Sequence, residues 1–166
     1  MRTLMLPGAM PETIGLMENL AELLALDEEE TIVHPYLFWR EGVPNIEAEL
    51  AALGKQKFDI VIAKSLGTLI FAQAVFKQTL TCKKAVLLGV PLPVLRQMQL
   101  PANLFKRIKL SNILFVSQTH DKLCPSADIE QIHPHHMLTI AGEDHLYKDT
   151  SLYIDKVQQF LFSQIS

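Results

Sequence analysis

The sequence predicts an α/β fold: a three-layer α/β/α sandwich around a mostly parallel six-stranded sheet. Two observations support this prediction. Short apolar runs alternate along the chain with longer segments of helical periodicity, an alternation typical of right-handed βαβ crossovers. Several runs are apolar at every position, as in Ile60-Val61-Ile62-Ala63, which indicates strands that are covered on both faces.

The predicted strands are short, and the predicted helices fill the intervals between them. We expect strands over residues 3–6, 31–34, 58–63, 84–90, 113–117 and 137–141. We expect helices over residues 12–26, 46–54, 66–78, 94–107, 125–133 and 151–164. The first and last helices each have one apolar face, which would pack on the sheet. The helix over 66–78 is apolar nearly all round, so we expect it to be buried near the sheet centre.

Length and composition limit the class of protein and its partners. A chain of 166 residues predicts a single domain, residues 1–166, around one core. The net charge of -3, with acids and bases interspersed, disfavours a nucleic-acid partner. The longest apolar run, residues 85–95, contains two prolines and is too short to span a bilayer. Cys82 and Cys124 suggest no disulfide framework, so we expect a cytoplasmic protein.

Ser65 lies where a predicted strand turns into the buried helix, in Ile62-Ala63-Lys64-Ser65-Leu66-Gly67. A serine hydroxyl becomes a useful nucleophile when a base and an oxyanion stabiliser lie beside it. A sharp strand-to-helix turn exposes the hydroxyl, frees the next backbone N–H, and requires small residues two positions before and after the serine. Ala63 and Gly67 occupy those positions. The alternative is that Ser65 caps the helix, which serine does well.

On this motif the chain resembles the α/β-hydrolase superfamily over nearly its whole length, as a small single-domain serine hydrolase without a large cap. Alanine at position 63 replaces the usual glycine, a variant that the family tolerates. The resemblance implies the chain order nucleophile, acid, histidine, each after a strand. It also implies an oxyanion hole made by the Leu66 N–H and by an N–H after the first strand. In that loop Ala9 is the first choice and Met10 the second.

The acid and the base of this order follow the last two predicted strands. The segment between the fourth strand and Asp121 contains no Asp or Glu, so Asp121 is the expected acid. His145 follows the last strand and is the expected general base, which Asp121 would orient. Asp121 could instead be a turn or capping residue, and a lone loop histidine is more often solvated. Glu143 and Asp144 adjoin His145 and are expected to be bystanders.

Residues 91–111 are the least regular part of the chain and contain three prolines. We expect a small lid there. Leu92 and Leu95 of this segment could line an acyl pocket, although ordinary helix packing is the more common explanation of such residues. Met10, in the loop after the first strand, is a further candidate for contact with the substrate.

Three other features are open to more than one interpretation. Lys64 could draw an anionic substrate towards the site, but a solvated side chain is favoured. Tyr36, Phe38 and Trp39 follow the second strand in a predicted loop, where they could wall a pocket or contact another subunit. His133-Pro134-His135-His136 has the wrong spacing for a metal site on one helical face, so we expect no metal.

Together these residues predict a serine hydrolase that cleaves a carboxylic ester or thioester through an acyl-enzyme. The partner would be a small acyl substrate, and no cofactor is expected. One alternative is a non-catalytic binding or scaffold protein with the same fold. A second is an acyltransferase or peptidase with the same triad. The sequence leaves the substrate and the oligomeric state open.

Overall fold

Six strands form one sheet in the computed structural model, which describes residues 1–108, 111–132 and 136–163. They are β1 (Thr3–Leu6), β2 (Thr31–Val33), β3 (Gln56–Lys64), β4 (Leu80–Leu88), β5 (Ile113–Gln118) and β6 (Met137–Ile140). Their spatial order is β2-β1-β3-β4-β5-β6, and every neighbouring pair is parallel. The predicted α/β class with a parallel six-stranded sheet is confirmed.

Helices cover both faces of this sheet. They are α1 (Thr13–Leu23), α2 (Phe38–Glu41), α3 (Ile46–Leu53), α4 (Leu66–Phe76), α5 (Val94–Gln97), α6 (Leu104–Arg107), α7 (Ser126–Glu130) and α8 (Ile154–Phe162). The apolar side chains of α1 and α8 belong to the core on one face, and those of α3, α4 and α6 to the core on the other. Since side chains alternate along a strand, Ile60 and Ile62 of β3 face α1 and α8, whereas Val61 and Ala63 face α4.

The prediction of one helix over residues 94–107 was wrong. Two one-turn helices, α5 and α6, lie there instead, with Pro101 between them. A proline ring fixes φ and removes an N–H donor, so a helix does not continue through it. The segment packs into the core beside α4 through Leu95, Leu104 and Phe105.

Other predicted boundaries also differ from the structure. β3 and β4 begin earlier than expected and pair from Gln56 and Leu80 onwards. Their first residues alternate between buried and exposed, so a search for continuous apolar runs misses them. The predicted loop after β2 contains the short helix α2, which includes Phe38 and Trp39.

The sequence predictions also concern the cysteines, the histidine cluster and the apolar segments. Cys82 and Cys124 are both free thiols. Residues 133–135 of the histidine cluster lie outside the described ranges. No helix in the described part of the chain has the length and apolar character needed to cross a membrane.

The order in which strands are added to the sheet changes direction at β1. From β1 the chain moves to β2 at one edge, and it then returns to β3 on the other side of β1. In parallel sheets, such a reversal opens a crevice at the carboxyl ends of the two strands. Ser65 follows β3 and the loop 7–10 follows β1, so both lie at this crevice.

Candidate active site

Ser65 has a strained backbone conformation between β3 and α4. Its φ is 50° and its ψ is -116°, a region that residues other than glycine rarely adopt. The Ser65 N–H donates to the carbonyl oxygen of Leu88, the last residue of the neighbouring strand β4, at 2.9 Å. Among the described residues, the Ser65 side chain makes no capping hydrogen bond to α4. The helix-capping alternative therefore does not account for this serine.

Gly67 allows α4 to begin directly against the end of β1. A Cβ atom at this position would lie 2.2 Å from the carbonyl oxygen of Leu6 and 2.7 Å from that of Pro7. Both atoms are backbone, so neither can swing aside. The glycine therefore brings the first turn of α4, including the Leu66 N–H, next to the loop that follows β1.

The structure brings Ser65, His145 and Asp121 into one hydrogen-bonded chain. The Ser65 Oγ atom is 2.8 Å from His145 Nε2. On the other side of the ring, His145 Nδ1 is 2.9 Å from Asp121 Oδ1 and 2.8 Å from Oδ2. The three residues are distant in sequence but share the carboxyl edge of the sheet, because each follows a parallel strand.

Asp121 is buried, at 2% exposure, yet it is held as a carboxylate. Burial by itself would raise the pKa of Asp121, but hydrogen bonds from His145, the Leu123 N–H and Tyr147 outweigh burial and lower it. An ionised carboxylate can only accept hydrogen bonds. His145 Nδ1 therefore carries the proton, and Nε2 is left as an acceptor for the Ser65 hydroxyl.

Two residues that the sequence prediction missed hold this acid and this histidine in place. The Tyr147 hydroxyl donates to Asp121 Oδ2 at 2.7 Å and accepts from the Gln118 N–H at 2.9 Å. The Gln118 side chain accepts from the His145 N–H at 2.8 Å and donates to Asp144 Oδ1 at 2.9 Å. No sequence motif marks either residue, because both act through contacts between separate loops.

Asp144 makes no hydrogen bond or ion pair with the His145 ring in the described part of the chain. Its Oδ1 atom accepts from Gln118 Nε2 and, at 2.8 Å, from the Leu146 N–H. These hydrogen bonds lower the pKa of Asp144. The expectation that Asp144 is a mere bystander was therefore incomplete, because its carboxylate fixes the loop that carries His145.

Replacing Tyr147 by phenylalanine is expected to destabilise the protein by about 1–3 kcal/mol at pH 7, because a buried carboxylate loses a donor. The loss also raises the pKa of Asp121. Because the pKa of Asp121 is lower in the folded protein than in the unfolded chain, its carboxylate stabilises the fold above the unfolded pKa, and this stability is lost as pH falls through the folded pKa. The difference in free energy of unfolding between wild type and Tyr147→Phe should therefore become smaller at acidic pH. The measurement is the free energy of unfolding in urea, for both proteins, at pH 7 and at the lowest pH where both stay folded.

Tyr153→Phe is the matched control for this measurement. The Tyr153 hydroxyl donates to the backbone carbonyl of Tyr147 at 2.6 Å, a bond with no acidic partner. Its removal should destabilise the protein by an amount that varies little with acidic pH. A Tyr147→Phe deficit that is equally independent of pH would contradict a role in keeping Asp121 ionised.

Two aromatic residues brace the loop 7–10 from the side of α2. The Tyr36 hydroxyl donates to the Pro7 carbonyl at 2.5 Å, and Trp39 Nε1 donates to the Ala9 carbonyl at 2.8 Å. In a trans peptide the N–H points opposite the C=O, so Trp39 also fixes the direction of the Met10 N–H. The aromatic residues after β2 thus contact the loop where the second oxyanion donor is expected.

A cavity of about 680 Å³ lies beside Ser65, between α1 and the loop that carries His145. Its walls include the candidates Ala9 and Met10 together with apolar residues of α1 and of two loops. The other lining residues are Glu12, Thr13, Gly15, Leu16, Asn19, Lys64, Lys122, Leu123, Asp144, Leu146 and Lys148.

The predicted lid and acyl-pocket residues are not at this cavity, which corrects both expectations. None of the described residues of the segment 91–111 lines it. Leu95 is 2% exposed and packs in the core beside α4, and Leu92 lines a separate cavity with Phe105 and Cys124. The segment packs against α4 because its apolar residues face the sheet and not the crevice.

Lys64 is not a solvated side chain, contrary to the favoured interpretation of the sequence. The residue is 4% exposed and lines the cavity beside Ser65. Burial lowers the pKa of Lys64 to about 8, although the negative charges of Asp121 and Asp144 act in the opposite direction. As the last residue of β3, it lies on the same face as Ile60 and Ile62.

No protein-family model matches the chain, and no curated protein matches it in sequence. Several solved structures are similar to it, and two of them are described as follows. One is a protein described as a YdeN-like hydrolase from Pectobacterium atrosepticum, 12% identical, with a TM-score of 0.64 over 96% of this chain and 90% of that one. The other is the Bacillus cereus carboxylesterase, 17% identical, with a TM-score of 0.58 over 96% and 86%.

Proposed function

From the α/β-hydrolase-type fold that the chain shares with both of these structures, we propose that it is a serine hydrolase of small carboxylic esters or thioesters. The observation that carries the proposal is the chain of hydrogen bonds from Ser65 through His145 to Asp121. The strained conformation of Ser65 adds support, because such strain is costly and clusters at functional sites. We include a cytoplasmic location in the proposal, since both cysteines are free thiols.

In the proposed reaction, His145 Nε2 takes the proton of the Ser65 hydroxyl as Oγ attacks the carbonyl carbon of the ester. The tetrahedral intermediate collapses to an acyl-enzyme when His145 returns that proton to the leaving alcohol or thiol. A water molecule, deprotonated by the same Nε2, then releases the acid and restores Ser65. Asp121 keeps the ring in the required tautomer and stabilises its positive form.

The oxyanion of the intermediate would be held by two backbone N–H groups. The Leu66 N–H lies in the first turn of α4, where N–H groups have no helical acceptor and the helix dipole favours negative charge. We propose Ala9 as the second donor, with Met10 as the alternative, and Met10 also as a contact for the acyl chain. The hydrogen bond from Thr13 to the Gly8 carbonyl orients the peptide that carries the Ala9 N–H. The hydrogen bond from Trp39 to the Ala9 carbonyl orients the Met10 N–H, so both candidate donors have support for a fixed direction before the substrate binds.

Active-site labelling with a fluorophosphonate tests this function. We expect the wild-type protein to be labelled on Ser65, as identified by peptide mass spectrometry, and Ser65→Ala to remain unlabelled. Ser151→Ala is the matched control, because that serine is exposed and bonds to Asp149. The control should label as the wild type does. A folded wild-type protein that takes no label would favour the scaffold alternative.

A further inference from the structure

Lys64 is a buried cation for which the proposed reaction has no use. Within the ranges that the structure describes, no carboxylate lies within ion-pair distance of its ammonium, and no protein atom accepts a hydrogen bond from it. The side chain is buried and lines the cavity, and an ammonium in such a place loses part of its hydration without an ion pair in return. Such a residue is therefore expected to have a partner that the isolated chain does not contain.

The position of Lys64 indicates where that partner binds. The side chain extends towards α1, on the face of β3 that Ile60 and Ile62 share, and it lines the cavity that also contains Ser65. Lys64 directly precedes Ser65, and both residues line this cavity. A molecule that fills the cavity could therefore contact both the ammonium and the nucleophile.

The other charged residues of the cavity do not provide a counter-ion for Lys64. Asp144 already accepts hydrogen bonds from Gln118 and the Leu146 N–H. Glu12 is exposed and makes no ion pair in the described chain. Lys122 and Lys148 add two further ammonium groups to the same walls, so the cavity contains more cationic than anionic side chains.

We propose that the Lys64 ammonium binds an anionic group of the substrate, so that the preferred substrate is an ester that also carries a carboxylate. This proposal rests on the hydrolase function proposed above and specifies its substrate class. The apolar part of the cavity wall, including Leu16, Leu123 and Leu146, would contact the hydrocarbon that links the carboxylate to the ester.

A pair of esters that differ only in charge tests the proposal. The 4-nitrophenyl ester of hexanoate and the mono-4-nitrophenyl ester of adipate have acyl chains of equal length, and the second ends in a carboxylate. We expect the wild type to prefer the adipate ester in kcat/KM. The preference should fall by about tenfold or more in Lys64→Met, the loss typical of a charged hydrogen bond, and should be largely restored in Lys64→Arg.

A second pair distinguishes the two places that the carboxylate could occupy. Phenyl hexanoate and the hexanoate ester of 3-hydroxybenzoate carry the charge difference on the leaving group. A Lys64-dependent preference in either pair supports the proposal and identifies the charged side of the substrate. Equal ratios for wild type and Lys64→Met in both pairs would overturn it, while hydrolysis of the neutral esters would leave the hydrolase function intact. No hydrolysis of any ester would count against the function itself.

Two further lysine variants control for the net charge. Lys83 is exposed and pairs with Asp59 at the opposite end of the sheet, so Lys83→Met should keep the wild-type preference. Lys122 lies on the cavity wall. If Lys122→Met lowers the preference as much as Lys64→Met does, the selectivity comes from the general potential of the cavity and the assignment to Lys64 is wrong.

The pH dependence of the preference provides a second measurement. The charges that act on Lys64 are those of Asp121, Asp144 and Lys122, and the other titratable residues that line the cavity are Glu12, His145 and Lys148. The preference of the wild type should decline as pH rises through about 8, the pKa of Lys64. Lys64→Arg should keep its preference over this range, because an arginine stays protonated. A preference that declines equally in the wild type and in Lys64→Arg would contradict the proposal, because the decline would then come from another group.

Discussion

Replacing Ser65 by alanine is expected to lower kcat for ester hydrolysis by about 10⁶-fold, the loss seen when a triad acts as one unit. The physical reason is that His145 and Asp121 have no function in acyl transfer without the nucleophile that they activate. Adding Asp121→Asn to Ser65→Ala should therefore cost almost nothing more. Steady-state kinetics with an activated ester on the single and double variants measures both effects.

The variant Asp121→Asn should lower kcat by about 10⁴-fold when it is made alone. An asparagine can donate a hydrogen bond to His145 Nδ1, which would leave the proton on Nε2, where it cannot accept from Ser65. Asp144→Asn is the matched control, since its amide oxygen can still accept from Gln118 and the Leu146 N–H. We expect kcat of Asp144→Asn to fall by less than about tenfold, because the hydrogen bonds to residue 144 are weakened by the loss of its charge but are not removed.

Two results would contradict this assignment of roles. A loss in Asp144→Asn as large as that in Asp121→Asn would make Asp144 the acid. Losses that multiply in the double variant with Ser65→Ala would show that Asp121 acts independently of the nucleophile. The second result would favour a structural role for Asp121 over an orienting one.

Gly67→Ala is expected to destabilise the protein by about 3 kcal/mol or more, at the upper end for overpacking in a core. The new methyl group would lie 2.2 Å from the Leu6 carbonyl oxygen, so α4 must move away from β1. That movement separates the Leu66 N–H from the loop 7–10. The folded variant should therefore also lose ester hydrolysis, and urea unfolding together with kcat measures both consequences.

Gly15→Ala provides the control for this glycine. Gly15 lies inside α1, and a Cβ atom there would meet no other atom within 4 Å. Alanine is the better helix former, so the variant should gain up to about 1 kcal/mol. If Gly67→Ala were as stable as Gly15→Ala, the close contact between α4 and β1 would not exist in solution.

The fold class could be predicted from the sequence because burial imposes a local pattern. A strand such as β3, which lies at the centre of a parallel sheet, is covered on both faces and therefore reads as a continuous apolar run. The same criterion failed at the first residues of β3 and β4, where one side of the strand is open to solvent. It also failed between α5 and α6, where a proline interrupts an apolar segment.

The spatial grouping of Ser65, Asp121 and His145 could also be anticipated, because parallel strands direct all their carboxyl ends to one edge of the sheet. The order nucleophile, acid, histidine along the chain then limits which residues at that edge can form the triad. Their hydrogen bonds are visible in the structure, while their roles in catalysis stay predictions that the kinetic variants test. The positions of Tyr147 and Gln118 had no comparable signal, since they depend on how two loops pack together.

Ser65 at the end of β3 and the alternation of strands with helices were therefore determined by the sequence itself, since both follow from local spacing and burial. The tertiary structure decided the surroundings of that serine. It placed the cavity on the side of α1 and packed residues of the segment 91–108 into the core. It also buried Lys64. The alternation of side chains along β3 predicts which face of the sheet Lys64 lies on, but not how far it is buried. Burial depends on residues distant in sequence that pack over the side chain, and no local pattern in the sequence shows which residues these are.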